Sequence, residues 1–433
     1  MTESSPHPHK SSETEKLLRK IEWRLIPFLV ICYCASYLDR VNLSFAARDM
    51  THDLGFSPEV YGWGAGIFFL GYALLEPPSN YMLHLLGARV WIARIMLSWG
   101  LVSGVMAFTW SETSFFVLRF LLGAAEAGFM PGIILYLTYW IPAQQRARLL
   151  AAFLFAVPLA TVIGAPVSSA IIEMTEGLMG FRGWQWLFIC EAAPPILLGI
   201  AAFFFLTDRP HQAHWLEHCE ITQLQRLLSA EQQEGQQASF FNALINLPAI
   251  TLGFAYFGIV LALYGLTMWL PQMMESYGVS QRYAGFLTAT PFAVGAAAMF
   301  VWSHHSDWRQ ERHWHTIFAS ILALAGLLGA AFSTTLPLSL LFLCMAASGI
   351  FSVLPPFWAH SSAAFSSNMA PVAIALVNAI GNLAGFAGPY LVGFIKQAGG
   401  SYATALIALA FGPFLCALLM LLIKSRQATA VES

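Results

Sequence analysis

The sequence predicts an all-α polytopic membrane protein with twelve transmembrane helices in two six-helix halves. Three observations carry this reading. Hydrophobic residues make up 58% of the 433 positions and charged residues only 10%, whereas a water-soluble globule carries about 25% charged residues. Apolar runs of about 20 residues, the length that crosses a hydrocarbon core, recur along nearly the whole chain. The one long polar interruption, 208–240, is rich in Gln, Glu and His and divides the runs six and six.

Residues 1–20 are polar and hold no short apolar core before a small-residue cleavage site, so they read as a cytoplasmic tail and not as a removed leader. The first half, 21–206, contains runs near 24–47, 59–83, 90–109, 114–140, 148–172 and 185–206. The central loop, 207–243, contains EITQLQRLLSAEQ, whose apolar residues recur at helical spacing on one face, as in a surface helix. The second half, 244–425, contains runs near 247–274, 283–303, 315–333, 336–358, 370–395 and 402–423, and a tail of 426–433 follows. Of the 21 Lys and Arg, fifteen fall on the side of the termini and central loop and four on the other, namely Arg48, Arg182, Arg282 and Lys396. Basic residues favour the cytoplasmic face, which places both termini and the central loop there. The net charge of -2 offers no basic surface to nucleic acid. Six thinly spread cysteines, five of them inside apolar runs, read as packing and not as a disulfide framework or zinc site.

The remaining two basic residues, Arg40 and Arg119, lie inside runs, as do Asp39, Glu76, Glu126 and Glu191. Each costs ~2.5 kcal/mol or more at a helix centre unless paired or hydrated, so such residues face the bundle interior and mark a pathway, or else bind helices together as ion pairs. Glu76, before Pro77-Pro78, and Glu191, in CEAAPP, suit anchoring as well as a pathway. With a rise of ~1.5 Å per residue, Asp39 and Arg40 lie roughly 24 Å from the edge at Trp23, and Arg119 about 8 Å from the opposite edge at Ser114. In a core of ~30 Å these levels coincide, so Arg119 is expected to meet Asp39. Glu126, two turns further along the same face, sits about 10 Å deeper.

The stretches CYCASYLDRVNLSFAA, EPPSNYMLHLLGARVWIAR and LRFLLGAAEAGFMPG, within a six-plus-six pattern, resemble the anion:cation symporter family of the major facilitator superfamily. Within it they are most similar to bacterial tartrate, phthalate and hydroxyphenylacetate permeases. The resemblance covers essentially the whole chain. It implies the major facilitator fold in a bacterial inner membrane, and proton-coupled uptake of a small organic carboxylate by alternating access. The proton is then the coupling ion, no cofactor or metal is needed, and the working unit is a monomer. The family pattern makes Asp39 and Glu126 the protonatable carboxylates, Arg40 the anchor of a substrate carboxylate and Arg119 the partner of the acidic pair. Residue chemistry agrees: arginine offers a carboxylate two parallel hydrogen bonds and stays charged, and desolvation suits Glu126 to carry a proton.

Tyr37, Tyr72, Tyr256, Tyr264, Trp358 and Asn378 are further candidates for substrate contact, several of them at positions where the family's sugar-acid members touch substrate. Val157-Pro158 stand where those members present a glutamine. An aromatic or hydroxy/dicarboxylic acid is therefore expected rather than a polyhydroxylated sugar acid. The loop signature between spans 2 and 3 is partial, with Gly87-Ala88-Arg89 present but His84 at the usual aspartate position. SHHSDWRQERHWH, its second-half equivalent, retains Ser306-Asp307 and Arg312. Arg89, Asp307 and Arg312 are thus the gating-loop candidates.

Other motifs read as structure. GWGAG, Gly62 to Gly66, lies inside a run with no strand before it and suits close helix packing, not a nucleotide. His211, His214, His218 and Cys219 match no standard zinc spacing. Antiport of phosphorylated or inorganic anions remains an alternative, disfavoured because the second half holds no intramembrane Lys or Arg before Lys396. A non-transporting sensor is a further alternative. An enzyme is not expected, since no G-x-S-x-G or H-E-x-x-H is present.

Overall fold

The structure, a computed structural model, describes residues 8–232, 246–365 and 369–431. Its first half contains α1 (Pro8–Leu54), α2 (Pro58–Leu86), α3 (Ala88–Val105), α4 (Glu112–Glu126), α5 (Phe129–Thr138), α6 (Ala143–Thr175) and α7 (Gly183–Phe205). The helix α8 (His218–Gln232) lies in the central loop, and 233–243 of that loop fall outside the described residues. The second half contains α9 (Leu247–Glu275), α10 (Gln281–Arg309), α11 (His313–Ala331), α12 (Leu336–Ala363), α13 (Ala370–Gln397) and α14 (Tyr402–Val431).

Eleven stretches among the described residues are long and apolar enough to cross a membrane. The expected second span is not one of them, although α2 is 29 residues long. Gly62, Gly64, Gly66 and Gly71, with Glu76, dilute its apolar character, because α2 packs between α4 and α13 and meets protein on both sides. A Cβ at Gly62 would stand 2.8 Å from the Pro389 carbonyl oxygen and 3.2 Å from Gly393 Cα. Here the backbones approach as only glycine allows.

The expected fourth span, 114–140, is broken. α4 stops at Glu126, Ala127 turns to ψ 134°, and Gly128 takes φ +83° before α5 begins. That left-handed conformation costs a side-chain-bearing residue about 1–2 kcal/mol, and a Cβ at Gly128 would also strike Ser79. The tails differ from expectation as well. α1 is 47 residues long and starts at Pro8, so the 1–20 segment is helical from there, and α14 runs to Val431 through the expected boundary at 425. Residues 1–7 and 432–433 lie outside the described residues.

α8 is the surface helix that the helical spacing predicts. Its Leu224 joins the core that holds Leu17 and Leu18 of α1, and Lys20 reaches Glu220 at 2.7 Å. The two halves are joined at the end of the bundle remote from the chain termini. Tyr61 donates to the Met268 carbonyl at 2.8 Å, Gln281 to Asp49 at 3.2 Å, and Arg48 lies 3.6 Å from Glu275. Trp63 meets Phe386 and Tyr390 edge-on at the same end.

Candidate functional site

Asp39 and Arg40 are neighbours on α1 and therefore point to different sides of it, about 100° apart. That separation splits the intramembrane charges into two clusters. Arg40 turns toward α4, where its Nε and Nη2 hold one oxygen of Glu126 at 2.9 and 2.7 Å. Ser36, one turn before Arg40 and on the same face, donates to that same oxygen. The Arg40 side chain is 11% exposed and that of Glu126 1%. Tyr264 of α9 receives the third guanidinium nitrogen at 3.3 Å, so this cluster spans both halves. The Arg40 guanidinium also lies over the rings of Tyr72 (5.0 Å) and Phe68 (5.5 Å).

Asp39 turns to α3. Trp99 Nε1 donates to one of its oxygens at 2.7 Å, and Ser103 Oγ and Asn42 Nδ2 donate to the other at 2.8 and 3.1 Å. Three donors satisfy a buried carboxylate without a counter-ion, and hydrogen bonds to a charged group are worth about 1.5–3 kcal/mol each. The expected meeting of Arg119 with Asp39 does not occur. Arg119 is fully buried and donates instead to the backbone carbonyls of Gly64 at 3.0 Å and Ala65 at 3.4 Å, while its Nη1 has no partner. Its guanidinium lies 5.0 Å from the Phe68 ring, whose other neighbour is Arg40. Depth arithmetic carries no information on azimuth, and Arg119 finds the Gly64 backbone, bare of a side chain, instead.

The remaining candidates are distributed as follows. Tyr37 is buried with its hydroxyl unpartnered. Tyr256 packs on Phe357 and Trp358 at 5.5 and 4.8 Å, facing Tyr264 and Arg40 from the second half. Asn378 is half-buried on α13, outside the bonded cluster. In the loops, the Arg89 amide donates to Asp208 at 2.8 Å, Asp307 pairs with Arg312, and Arg312 also donates to Ser306 at 3.0 Å. Asp208, just beyond α7, thus brings a carboxylate to the start of α3; His84, in the last turn of α2, lies 3.4 Å from Tyr139. Among the described residues, no group of three or more His, Cys, Asp or Glu is placed to hold a metal ion.

Sequence reasoning missed Ser36, Phe68, Trp99 and Ser103. Ser36 was findable as the residue four before Arg40 on one helix face, and Trp99 with Ser103 as an i, i+4 polar pair in an apolar run. Phe68 carries no such signal.

Comparison with known proteins places this geometry. A provisionally named tartrate transporter of Agrobacterium vitis is 46% identical over 420 residues, covering 96% of this chain and 93% of that protein. A provisionally named metabolite transport protein, NicT, of Pseudomonas putida is 41% identical over 397 residues, covering 91% of each. A bacterial homologue of the human lysosomal transporter Spinster, solved in an inward-facing, unoccupied conformation, superposes with a TM-score of 0.75 at 16% identity. It covers 94% of this chain and 96% of that one, and so speaks for the fold. The family described as Major Facilitator Superfamily matches residues 29–389 and 252–432. With two helical halves around a buried charged centre, this chain is a multi-pass membrane transporter that belongs to the Major Facilitator Superfamily.

Proposed function

We propose that this transporter takes up a small hydroxy- or dicarboxylic acid together with a proton, in a bacterial inner membrane with both termini in the cytoplasm. One observation carries the reading: the guanidinium of Arg40 is neutralised by the buried carboxylate of Glu126, both nitrogens closing on one oxygen. A substrate carboxylate needs that same guanidinium. Protonating Glu126 removes its charge and frees Arg40 for a bidentate grip on the substrate, so proton and anion load together. Release of the anion lets Glu126 lose its proton and recapture Arg40, which resets the site.

Tyr264, Tyr72 and Tyr256 bring phenolic groups to the neighbourhood of Arg40. Such donors suit a short acid bearing hydroxyls, and the 46% identical relative is named for tartrate. The basic side chains gathered on the side of the termini support the orientation. The test is uptake of labelled tartrate into proteoliposomes under an imposed pH gradient, alkaline inside. Accumulation should collapse with a protonophore and be competed by tartrate-like acids more than by galactonate-like ones. Sodium-driven accumulation without pH dependence would overturn the coupling.

A further inference from the structure

Arg119 is the intramembrane cation that the Arg40–Glu126 exchange leaves unused. It is 1% exposed, and among the described residues no Asp or Glu forms an ion pair with it. The two carboxylates of this region are taken, Glu126 by Arg40 and Ser36, Asp39 by Trp99, Ser103 and Asn42. Arg119 gives Nε to the Gly64 carbonyl at 3.0 Å and Nη2 to the Ala65 carbonyl at 3.4 Å, and its Nη1 is buried with no partner. A buried guanidinium with one end unpaired and no counter-ion is costly in a low-dielectric site. A carboxylate laid across Nη1 and Nη2 would satisfy it with two parallel hydrogen bonds.

α2 sets this guanidinium beside that of Arg40. Gly64, Phe68 and Tyr72 lie four residues apart and so share one face of the helix. Arg119 stands against the Gly64 carbonyl and 5.0 Å from the Phe68 ring, while Arg40 stands 5.5 Å from the same ring and 5.0 Å from that of Tyr72. Two cations thus occupy successive rungs of one face, with one aromatic ring as neighbour to both. The second half has no Lys or Arg within its apolar runs before Lys396. A second substrate carboxylate therefore finds its cation in Arg119.

We propose that Arg119 anchors a second substrate carboxylate, so that the site is built for a short diacid held between Arg40 and Arg119. This seat rests on the reading of Arg40 as the first anchor. One carboxylate takes Arg40 once Glu126 releases it, the other takes Nη1 and Nη2 of Arg119, and the carbons between them pass the Phe68 ring. Phe68 and Arg119 are each 1% exposed, so the second seat is closed in this structure and opens as the ring turns aside. A monoacid fills the Arg40 seat alone and leaves Arg119 as it stands.

The test is equilibrium binding to the purified full-length protein in nanodiscs, at one fixed acidic pH and without a gradient. The probes are tartrate and its monoamide, which keeps both hydroxyls and one carboxylate. Wild type should bind tartrate at least about tenfold more tightly, the order of one charge-assisted hydrogen bond. Arg119→Gln should bring that ratio near one by weakening tartrate alone, and Arg40→Gln should weaken both acids. A wild-type ratio near one would overturn the proposal, and so would a full ratio kept by Arg119→Gln, the result expected if Arg119 only braces α2. If Arg119→Gln is not recovered folded, the infrared spectrum of carboxyl-labelled tartrate bound to wild type decides. Both carboxylate bands should leave their free-solution position, and one band remaining there would overturn the second seat. Monoamide binding untouched by Arg40→Gln would instead overturn the first anchor, which tells the two failures apart.

Discussion

Arg40 and Asp39 show how much one helical step decides. Adjacent in sequence, they serve separate clusters because α1 turns Arg40 toward Glu126 and Asp39 toward Trp99. The charged residues were legible in the sequence; their pairing was not, since pairing depends on the rotation of each helix about its axis. For Arg40→Lys, the fork that closes on a carboxylate is replaced by a point charge. Loss of a charge-assisted hydrogen bond, about 1.5–3 kcal/mol, should lower uptake about tenfold or more; wild-type uptake would remove the anchor role. Glu126→Gln mimics the protonated form and leaves Arg40 free, so counterflow exchange should survive while uphill accumulation is lost. Full pH-driven accumulation by that variant would take Glu126 out of the coupling. Asp39→Asn should do more damage, because its amide nitrogen would replace one of the two acceptor oxygens and leave either the Trp99 or the Asn42 N–H buried without an acceptor. The readout is folded yield and thermal stability beside transport, and a stable, active Asp39→Asn protein would contradict it.

At the level of helices, glycine placement was visible in the sequence as GWGAG, but its partner was not: α13 answers α2 across the interface of the two halves. A side chain at Gly62 would meet the Pro389 carbonyl and the Gly393 backbone. Gly62→Val should therefore keep the halves apart at the remote end. Labelling of cysteines introduced along that interface should rise relative to wild type, and unchanged labelling would show that the contact is dispensable. The loop before α11 makes a pH-dependent contribution. Burial pushes the Glu311 carboxyl up, and the bonds it accepts from the Trp314 and His315 amides and the His315 ring outweigh this and hold it below its ordinary value. The folded form therefore binds the proton less readily than the unfolded one. Its stabilising contribution is fully present above the unfolded carboxylate range of about 4.3 and is lost as pH falls through the lower folded value. Thermal melts should show Glu311→Gln less stable than wild type at neutral pH, with the difference closing in acid; a difference independent of pH would refute the assignment.

For the whole molecule, the all-helical, multi-span character followed from hydropathy, with eleven stretches among the described residues long and apolar enough to cross a membrane where twelve were expected. Which end is closed could not follow, because it depends on contacts such as Tyr61 with Met268, Gln281 with Asp49 and Arg48 with Glu275, which join residues about 200 or more positions apart. Nor did hydropathy reveal the joint in the fourth span, since Ala127 and Gly128 sit as easily in an apolar helix as between two. That joint has a mechanical meaning. α4 is pressed against α2 by the close approach of Gly123 to Phe68, whereas α5 begins afresh after Gly128. The crossing is thus two rods with their pivot beside the Glu126 carboxylate. In a lever, displacement grows with distance from the fulcrum, so any swing of α5 about this joint would be largest at its far end and smallest at the pivot. The charged centre can keep its ångström-scale geometry while the path leading to it changes shape.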